Sequence, residues 1–235
     1  MSRTDRVVDS ITRMILDGEL SAGDRLPVEA ELADRLEVSR GSLREGVRAL
    51  AVLGVLDVRQ GDGTYVSSLA PERLLGPVGL LVALQGAGHA RDTHAVRRLL
   101  EGEAAAAAAR RSDDDAAAAA QAALSRAAEA LADDDHEAFL DADMAFHGAL
   151  ARWSGNPVLS ALLDALAGRT TRHRRWRGQA VPDADARAHA WHGSVFDAVS
   201  RGNQDEARTL TQAHLLETER ELPAHPDTAP TRCDD

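Results

Sequence analysis

Between residues 24 and 66 the chain strings together three short signatures: Asp-Arg-Leu-Pro-Val-Glu-Ala-Glu-Leu-Ala, then Val-Ser-Arg-Gly-Ser-Leu-Arg-Glu, then Gly-Asp-Gly-Thr-Tyr-Val. In that order they leave little choice of local fold. Val7, Val8, Ile11, Ile15 and Leu16 recur at helical spacing ahead of them, and Gly18 ends that first helix. Pro27 is expected at the first-turn position of a second helix, where its missing N–H costs nothing. Leu32, Ala33 and Leu36 give this helix an apolar face, and Glu37 and Val38 form the turn that follows. Ser39 caps a third helix through its hydroxyl. Leu43, Val47 and Leu50 point inward from it, while Arg40, Arg44 and Arg48 fall four residues apart on the other side. Residues 55–58 and 64–66 read as two short strands joined by Gln-Gly-Asp-Gly, whose glycines 61 and 63 permit a tight hairpin turn. A helix-turn-helix followed by a wing is therefore expected, and with it DNA binding.

The chemistry of the third helix supports that expectation. Three arginines at this spacing would, alone, describe a solvated helix face. The Pro-started helix before them and the Gly-turn hairpin after them favour a recognition helix instead. Arginine reaches guanine O6 and N7 with two parallel hydrogen bonds, which makes Arg40 and Arg44 the first choices for base reading. Residues 1–70 nevertheless contain nine arginines against twelve acidic residues, a net of −3, and the whole chain carries −11. Binding must then rest on a local arginine patch and on a partner copy rather than on a bulk positive field. Lysine is absent from the chain, so every basic side chain is a planar guanidinium suited to two-point contacts.

At 235 residues the chain is long enough for two domains. Its single cysteine, Cys233, excludes a disulfide framework and fits a reducing compartment. The N-terminal stretch lacks the apolar core of a signal peptide. Residues 74–84 are apolar but interrupted by Gly and Pro and too short to span a bilayer, so a cytoplasmic protein without membrane contact is expected. That segment reads as the first buried helix of a second domain, or the hinge leading to it. The expected division is a DNA-binding domain over 1–70, a linker with the buried segment over 71–90, a helical domain over 91–222 and a disordered tail over 223–235.

In the second domain helices are expected at 91–111, 113–132, 134–153, 156–178, 184–200 and 204–221. Two acidic triplets, Asp113 to Asp115 and Asp133 to Asp135, are placed at helix starts, where they oppose the helix dipole. The alanine runs 104–109 and 116–120 indicate helix propensity and close packing. With no strand pattern here, the fold class is mainly α: an N-terminal winged helix-turn-helix followed by an all-α antiparallel bundle.

Four residues stand out in that bundle. Asp143 and His147 are spaced i, i+4 and share a helix face. His192 and His214 lie on consecutive helices joined by Ser200, Arg201, Gly202 and Asn203. In an antiparallel hairpin their levels differ by only about 5 Å at the helical rise. One carboxylate and three imidazoles suit a borderline divalent ion, zinc first, with nickel or manganese as alternatives. Spacing alone also describes an ordinary helix-surface pair at Asp143 and His147, with the other histidines as hydrogen-bonded core or surface groups. His89, His94, His136, His173, His189 and His225 show no partner pattern.

The N-terminal segment resembles the GntR family of bacterial transcription regulators. The matching residues are Gly18, Gly23, Asp24, Leu26, Pro27, Glu29, Leu32, Ala33, Val38, Ser39, Arg40, Leu43, Arg44, Glu45, Leu50, Gly63 and Thr64. The resemblance implies that Arg40 and Arg44 contact bases, that Ser39 and Ser42 contact backbone or base edges, and that Gly63 sits at the wing tip in the minor groove. Ala30 departs from it, standing where family members often carry an operator-reading arginine. Residues 91–221 resemble the helical ligand domain of the FadR-like branch, the FCD type. The matching marks are Arg97 with Leu100 and Glu101, the run from Asp143 to His147, Ser154 to Pro157, His192 with Val195, Ala198 and Val199, and His214. The resemblance implies a metal held by Asp143, His147, His192 and His214, with a small carboxylate or sugar acid beside it as effector and Arg97 as a partner for that acid. Trp191 stands where a Glu is usual. Arg172, Arg174, Arg175 and Arg177 are expected on a solvated helix face. The function so implied is that of a homodimeric repressor of a palindromic operator, switched by a small acid. A metal sensor without organic effector and a metal-dependent hydrolase are the alternatives, the latter lacking a recognisable general base beside the ligands.

Overall fold

A computed structural model describes residues 2–84, 89–167, 177 and 180–222. The chain divides into two compact units, Met1–Pro77 and Val78–Asp235.

In the first unit, α1 (Arg3–Leu16) opens on a capping box, with Asp5 N–H donating to Ser2 Oγ and Ser2 N–H to the Asp5 carboxylate. It buries Val7, Ile11 and Met14. These pack in one cluster with Leu32 and Ala33 of α2 (Glu29–Arg35) and with Leu43 and Leu50 of α3 (Arg40–Val52). Gly46 sets the approach of α1 to α3, because a Cβ there would lie 2.5 Å from Val7 Cγ1. Pro27 does not occupy the first turn of α2: Val28 is the N-cap, and Pro27 lies one residue outside it. Its ring-fixed φ shapes the entry to the helix instead. Glu37, at φ +53°, makes the sharp turn into Ser39, which caps α3.

The wing is β1 (Leu56–Arg59) paired antiparallel with β2 (Gly63–Val66), in register from Leu56 opposite Val66 to Arg59 opposite Gly63. Residues 24–26 lie along its other edge. Leu26 N–H donates to Thr64 O, and Val66 N–H to Asp24 O, each at 2.8 Å. After α4 (Pro71–Leu74) comes α5 (Gly76–Leu84). The expectation of a buried segment fails here, since Leu80, Leu81 and Leu84 are 56 %, 57 % and 77 % exposed. An apolar run reports what a helix could bury, not whether the chain supplies a partner.

The second unit is helical throughout its described residues: α6 (Ala90–Ala108), α7 (Asp114–Ala132), α8 (His136–Trp153), α9 (Pro157–Ala167), α10 (Ala184–Ser200) and α11 (Gln204–Glu221). The helix expected over 156–178 is described from Pro157 to Ala167, and 168–176, 178–179 and the tail expected over 223–235 lie outside the described residues. Asp113 caps α7 and Asp135 caps α8, each accepting a backbone N–H at 3.0 Å. The second acidic triplet is not all at a helix start. Asp133 is the C-cap of α7 and Asp134 turns at φ +54° before Asp135 caps the next helix.

The alanine runs become the close-packed centre. Ala105, Ala108, Ala120 and Ala123 are fully buried with Phe146, Leu150, Val195 and Val199, so small side chains let neighbouring helices approach. Gly202 provides the turn that lays α11 against α10.

Candidate functional site

On the first unit the recognition helix presents its residues as follows. Ser39 Oγ accepts the Ser42 N–H at 3.1 Å and lies 2.9 Å from Ser42 Oγ, so these two serines form the cap at the start of α3. Arg40 and Arg48 are exposed. Arg44 is exposed too, and its Nε lies 2.9 Å from Glu29 of α2. That acid is a local competitor for any phosphate or base. Gly63 begins β2 at φ +140°, where a Cβ would come within 2.7 Å of Arg25 Nε. Arg25 donates to the Asp62 carbonyl, and Arg59 stacks its guanidinium 4.1 Å over Tyr65, whose hydroxyl donates to Asp62. The wing therefore carries two arginines near its turn that the sequence pattern did not single out.

In the second unit the histidine nitrogens converge. Ligand atoms of His147, His192 and His214 all lie within 4.8 Å of one another, and all three residues are at least nine-tenths buried in side chain or whole. His192 Nε2 is 3.2 Å from His214 Nε2 and 3.5 Å from Asp143 Oδ1, and His147 Nε2 is 3.8 Å from that same oxygen. Helix α8 supplies Asp143 and His147 from one face, α10 supplies His192, and α11 supplies His214. Phe146 stacks on His192 with centroids 4.6 Å apart, closing the apolar side.

The donor set fits a divalent ion. Nitrogen and oxygen ligands bound at about 2.0 to 2.2 Å stand roughly 3 to 3.6 Å from one another; His192 meets this with His214 and Asp143, at 3.2 and 3.5 Å, while His147 stands somewhat wider at 3.8 Å from Asp143. Three imidazoles with one carboxylate favour zinc or a neighbouring transition ion over calcium or magnesium.

Behind His147 stands a pair that spacing did not reveal. Arg97 and Glu101 of α6 are buried and joined, Nε to Oε1 at 2.8 Å and Nη2 to the same oxygen at 2.6 Å. The other oxygen of Glu101 is 2.6 Å from His147 Nδ1. With the Glu101 carboxylate beside Nδ1, Nε2 is the ring nitrogen turned toward Asp143, 3.8 Å from its Oδ1. Arg97 also lines a small recess, with a cavity volume of about 20 Å³, together with His94, Asp143, His147, Arg177 and His214.

Two expectations for this region change. His94, dismissed for lack of a partner pattern, is fully buried at the recess. Arg177, expected on a solvated face, is only 7 % exposed and pairs with Glu221; the sequence could not show that α11 would place an acid against it. Arg172, Arg174, Arg175, His173 and His225 lie outside the described residues. Trp191, which departs from the expected Glu, donates its indole N–H to Glu217 at 2.8 Å. Burial pushes the Glu217 carboxyl up, but hydrogen bonds from Arg187 and Trp191 and the charges of Arg187 and Arg177 outweigh it, holding the group below the usual carboxylate range.

A winged helix joined to a buried ligand-type site in a helical bundle defines a DNA-binding regulator with an effector domain. Residues 3–66 match the bacterial regulatory proteins of the gntR family and residues 92–217 match the FCD domain. The chain belongs to the GntR family, in its FadR-like branch, and is a transcription regulator rather than an enzyme. It is 32 % identical over 220 residues to a protein of Escherichia coli (strain K12) provisionally named L-lactate dehydrogenase operon regulatory protein, covering 90 % of this chain and 83 % of that one. It is 32 % identical over 211 residues to the HTH-type transcriptional regulator LutR of Bacillus subtilis (strain 168), covering 88 % and 94 %. Among solved structures, Streptococcus agalactiae GntR aligns with a TM-score of 0.66 at 27 % identity, over 92 % of this chain and 99 % of that one. No helix among the described residues is long and apolar enough to cross a membrane.

Proposed function

We propose that this protein is a cytoplasmic, homodimeric repressor of a palindromic operator, and that a small carboxylate or sugar acid switches it by binding beside a divalent ion in the bundle. The convergence of His147, His192 and His214 with Asp143 on buried faces of three helices carries this reading. These four residues would hold the ion, zinc first among candidates. When bound, it supplies a Lewis-acidic centre for a carboxylate oxygen and a neighbouring hydroxyl. The name of the Escherichia coli relative, which refers to the operon for L-lactate dehydrogenase, supports a small hydroxy acid as the ligand class.

The residues around the ion have separate tasks in this reading. Glu101, steadied by Arg97, fixes the His147 ring so that Nε2 faces the ion. Arg97 lines the recess on the side of the acid, its charge partly met by Glu101. On the head, Arg40 and Arg44 read base edges, Arg44 exchanging Glu29 for DNA. Ser39 and Ser42 face the phosphate backbone at the start of α3, and Gly63 lets the wing lie close to the minor groove.

Because the ligands come from three helices, filling the site with an acid favours one packing of α8, α10 and α11. That packing reaches the operator only if the acid binds the two arrangements unequally, and the readout is half-site spacing in the dimer. Native mass spectrometry of the purified full chain tests the reading. The expected result is one metal ion per chain with co-purified acid, both lost in His192→Ala. A metal-free wild type that takes up no added zinc would refute it.

A further inference from the structure

Arg177 sits between α9 and α10 with its side chain 8 % exposed, lining the recess that Asp143, His147 and His214 also line. Its guanidinium is only partly matched. Nε engages Glu221, and Nη1 donates to the Ala184 carbonyl at 3.4 Å. Nη2 is buried without a hydrogen-bond partner and lies 4.0 Å from Glu217 Oε1. An unmatched buried N–H on a charged group is costly, and a guanidinium edge fits a carboxylate with two parallel bonds.

The acid that restrains Arg177 is itself shared. Glu221 also receives Arg187, which binds Glu217, which in turn accepts from Trp191. Glu217 and Glu221 follow His214 on α11, and Trp191 precedes His192 on α10. Asp185, the other carboxylate at the recess, is 2.6 Å from His136 Nδ1. Asp143 faces the imidazoles. Glu221 holds Arg177 through Nε, so an incoming anion meets the guanidinium with Glu221 as its rival.

We propose that Arg177 reads the effector: a carboxylate of a small organic acid in the recess takes Nη2, competes with Glu221 for the guanidinium, and so reports occupancy to the last turns of α11. This rests on the reading that the recess binds a small acid. It goes further in naming a second arginine that recognises the acid and the internal acid that opposes it. Competition has a definite signature, because a group that holds the cation in the empty state lowers the affinity of the ligand that needs it. Removing Glu221 therefore strengthens binding, which loss of packing alone does not do.

The test is calorimetric titration of L-lactate and of succinate into the zinc-loaded full chain, for wild type, Arg177→Gln, Arg177→Lys and Glu221→Gln. We expect wild type to bind at least one acid, and Arg177→Gln to bind it about tenfold or more weakly with zinc content unchanged. Arg177→Lys falls between them, and Glu221→Gln binds several-fold more tightly than wild type. Equal affinity in Arg177→Gln, or no gain in Glu221→Gln, overturns the role of Arg177 while leaving the acid site standing. No binding of either acid to wild type overturns both. Should Arg177→Gln lose zinc or fail to fold, Glu221→Gln decides: tighter binding upholds the competition and unchanged binding ends it.

Discussion

Arginine is the only fixed cation in both units, and the two units use it in opposite ways. On the DNA-binding head Arg40, Arg44 and Arg48 stand exposed along α3, restrained at most by a surface acid such as Glu29. In the bundle Arg97 and Arg177 are buried and committed to Glu101 and Glu221. The difference separates affinity from positioning. An exposed guanidinium is free to meet a nucleic acid at a salt-dependent cost, whereas a buried one fixes the neighbours it pairs with. The head's negative balance is thus compatible with DNA binding, since its arginines on α3 are displayed, with Glu29 as the acid that DNA must displace from Arg44.

The largest expected contrast is in packing. Phe146→Ala should cost the bundle about 3–5 kcal/mol in urea unfolding, because it empties a fully buried position and removes the ring stacked on His192. Metal affinity should fall with it; a loss of stability with metal affinity intact would show that the stacking does not order the site. Next comes Glu101→Gln, expected to weaken zinc about 10- to 100-fold in a chelator competition while leaving operator binding of the effector-free protein unchanged. An unaltered zinc affinity would remove the positioning role of the Arg97 and Glu101 pair.

On the head, Arg40→Ala should cost roughly 1–3 kcal/mol of operator affinity and relax preference at one base pair, without touching zinc binding. A uniform loss over all DNA sequences would reassign Arg40 to the phosphate backbone. The smallest effect concerns Asp57, whose carboxyl is held below its ordinary range by hydrogen bonds from Arg73. A depressed folded value contributes stability that is present above about pH 4 and lost as pH falls through the folded value. Asp57→Asn should flatten the acid limb of the head's pH-stability profile, and an unchanged limb would show that solvent screens the pair fully.

How far each unit could be read from sequence follows from where its information lies. The head is punctuated locally: Gly18, Ser39 and the glycines of the wing mark turns and caps within a few residues of the elements they bound. Only Pro27 is displaced, because proline fixes φ without saying which position of the helix entry it takes. The helices of the bundle were equally readable through Asp113, Asp135 and Gly202, and the hairpin arithmetic placed His192 opposite His214. The partners of His147 and Arg177 were not. Glu101 meets His147 from another helix, and Glu221 meets Arg177 across a 44-residue separation, so neither leaves a periodic trace. The exposed leucines of α5 show the same limit for apolar residues.

The central claim is that the buried site governs the head. Titration of operator DNA with zinc-loaded wild type and with His192→Ala, each with and without added small acid, tests it most directly. The predicted result is an acid-dependent shift in operator affinity for wild type and none for His192→Ala, with effector-free affinities alike. Equal shifts in both proteins, or no shift in a wild type shown to hold the acid, would contradict it.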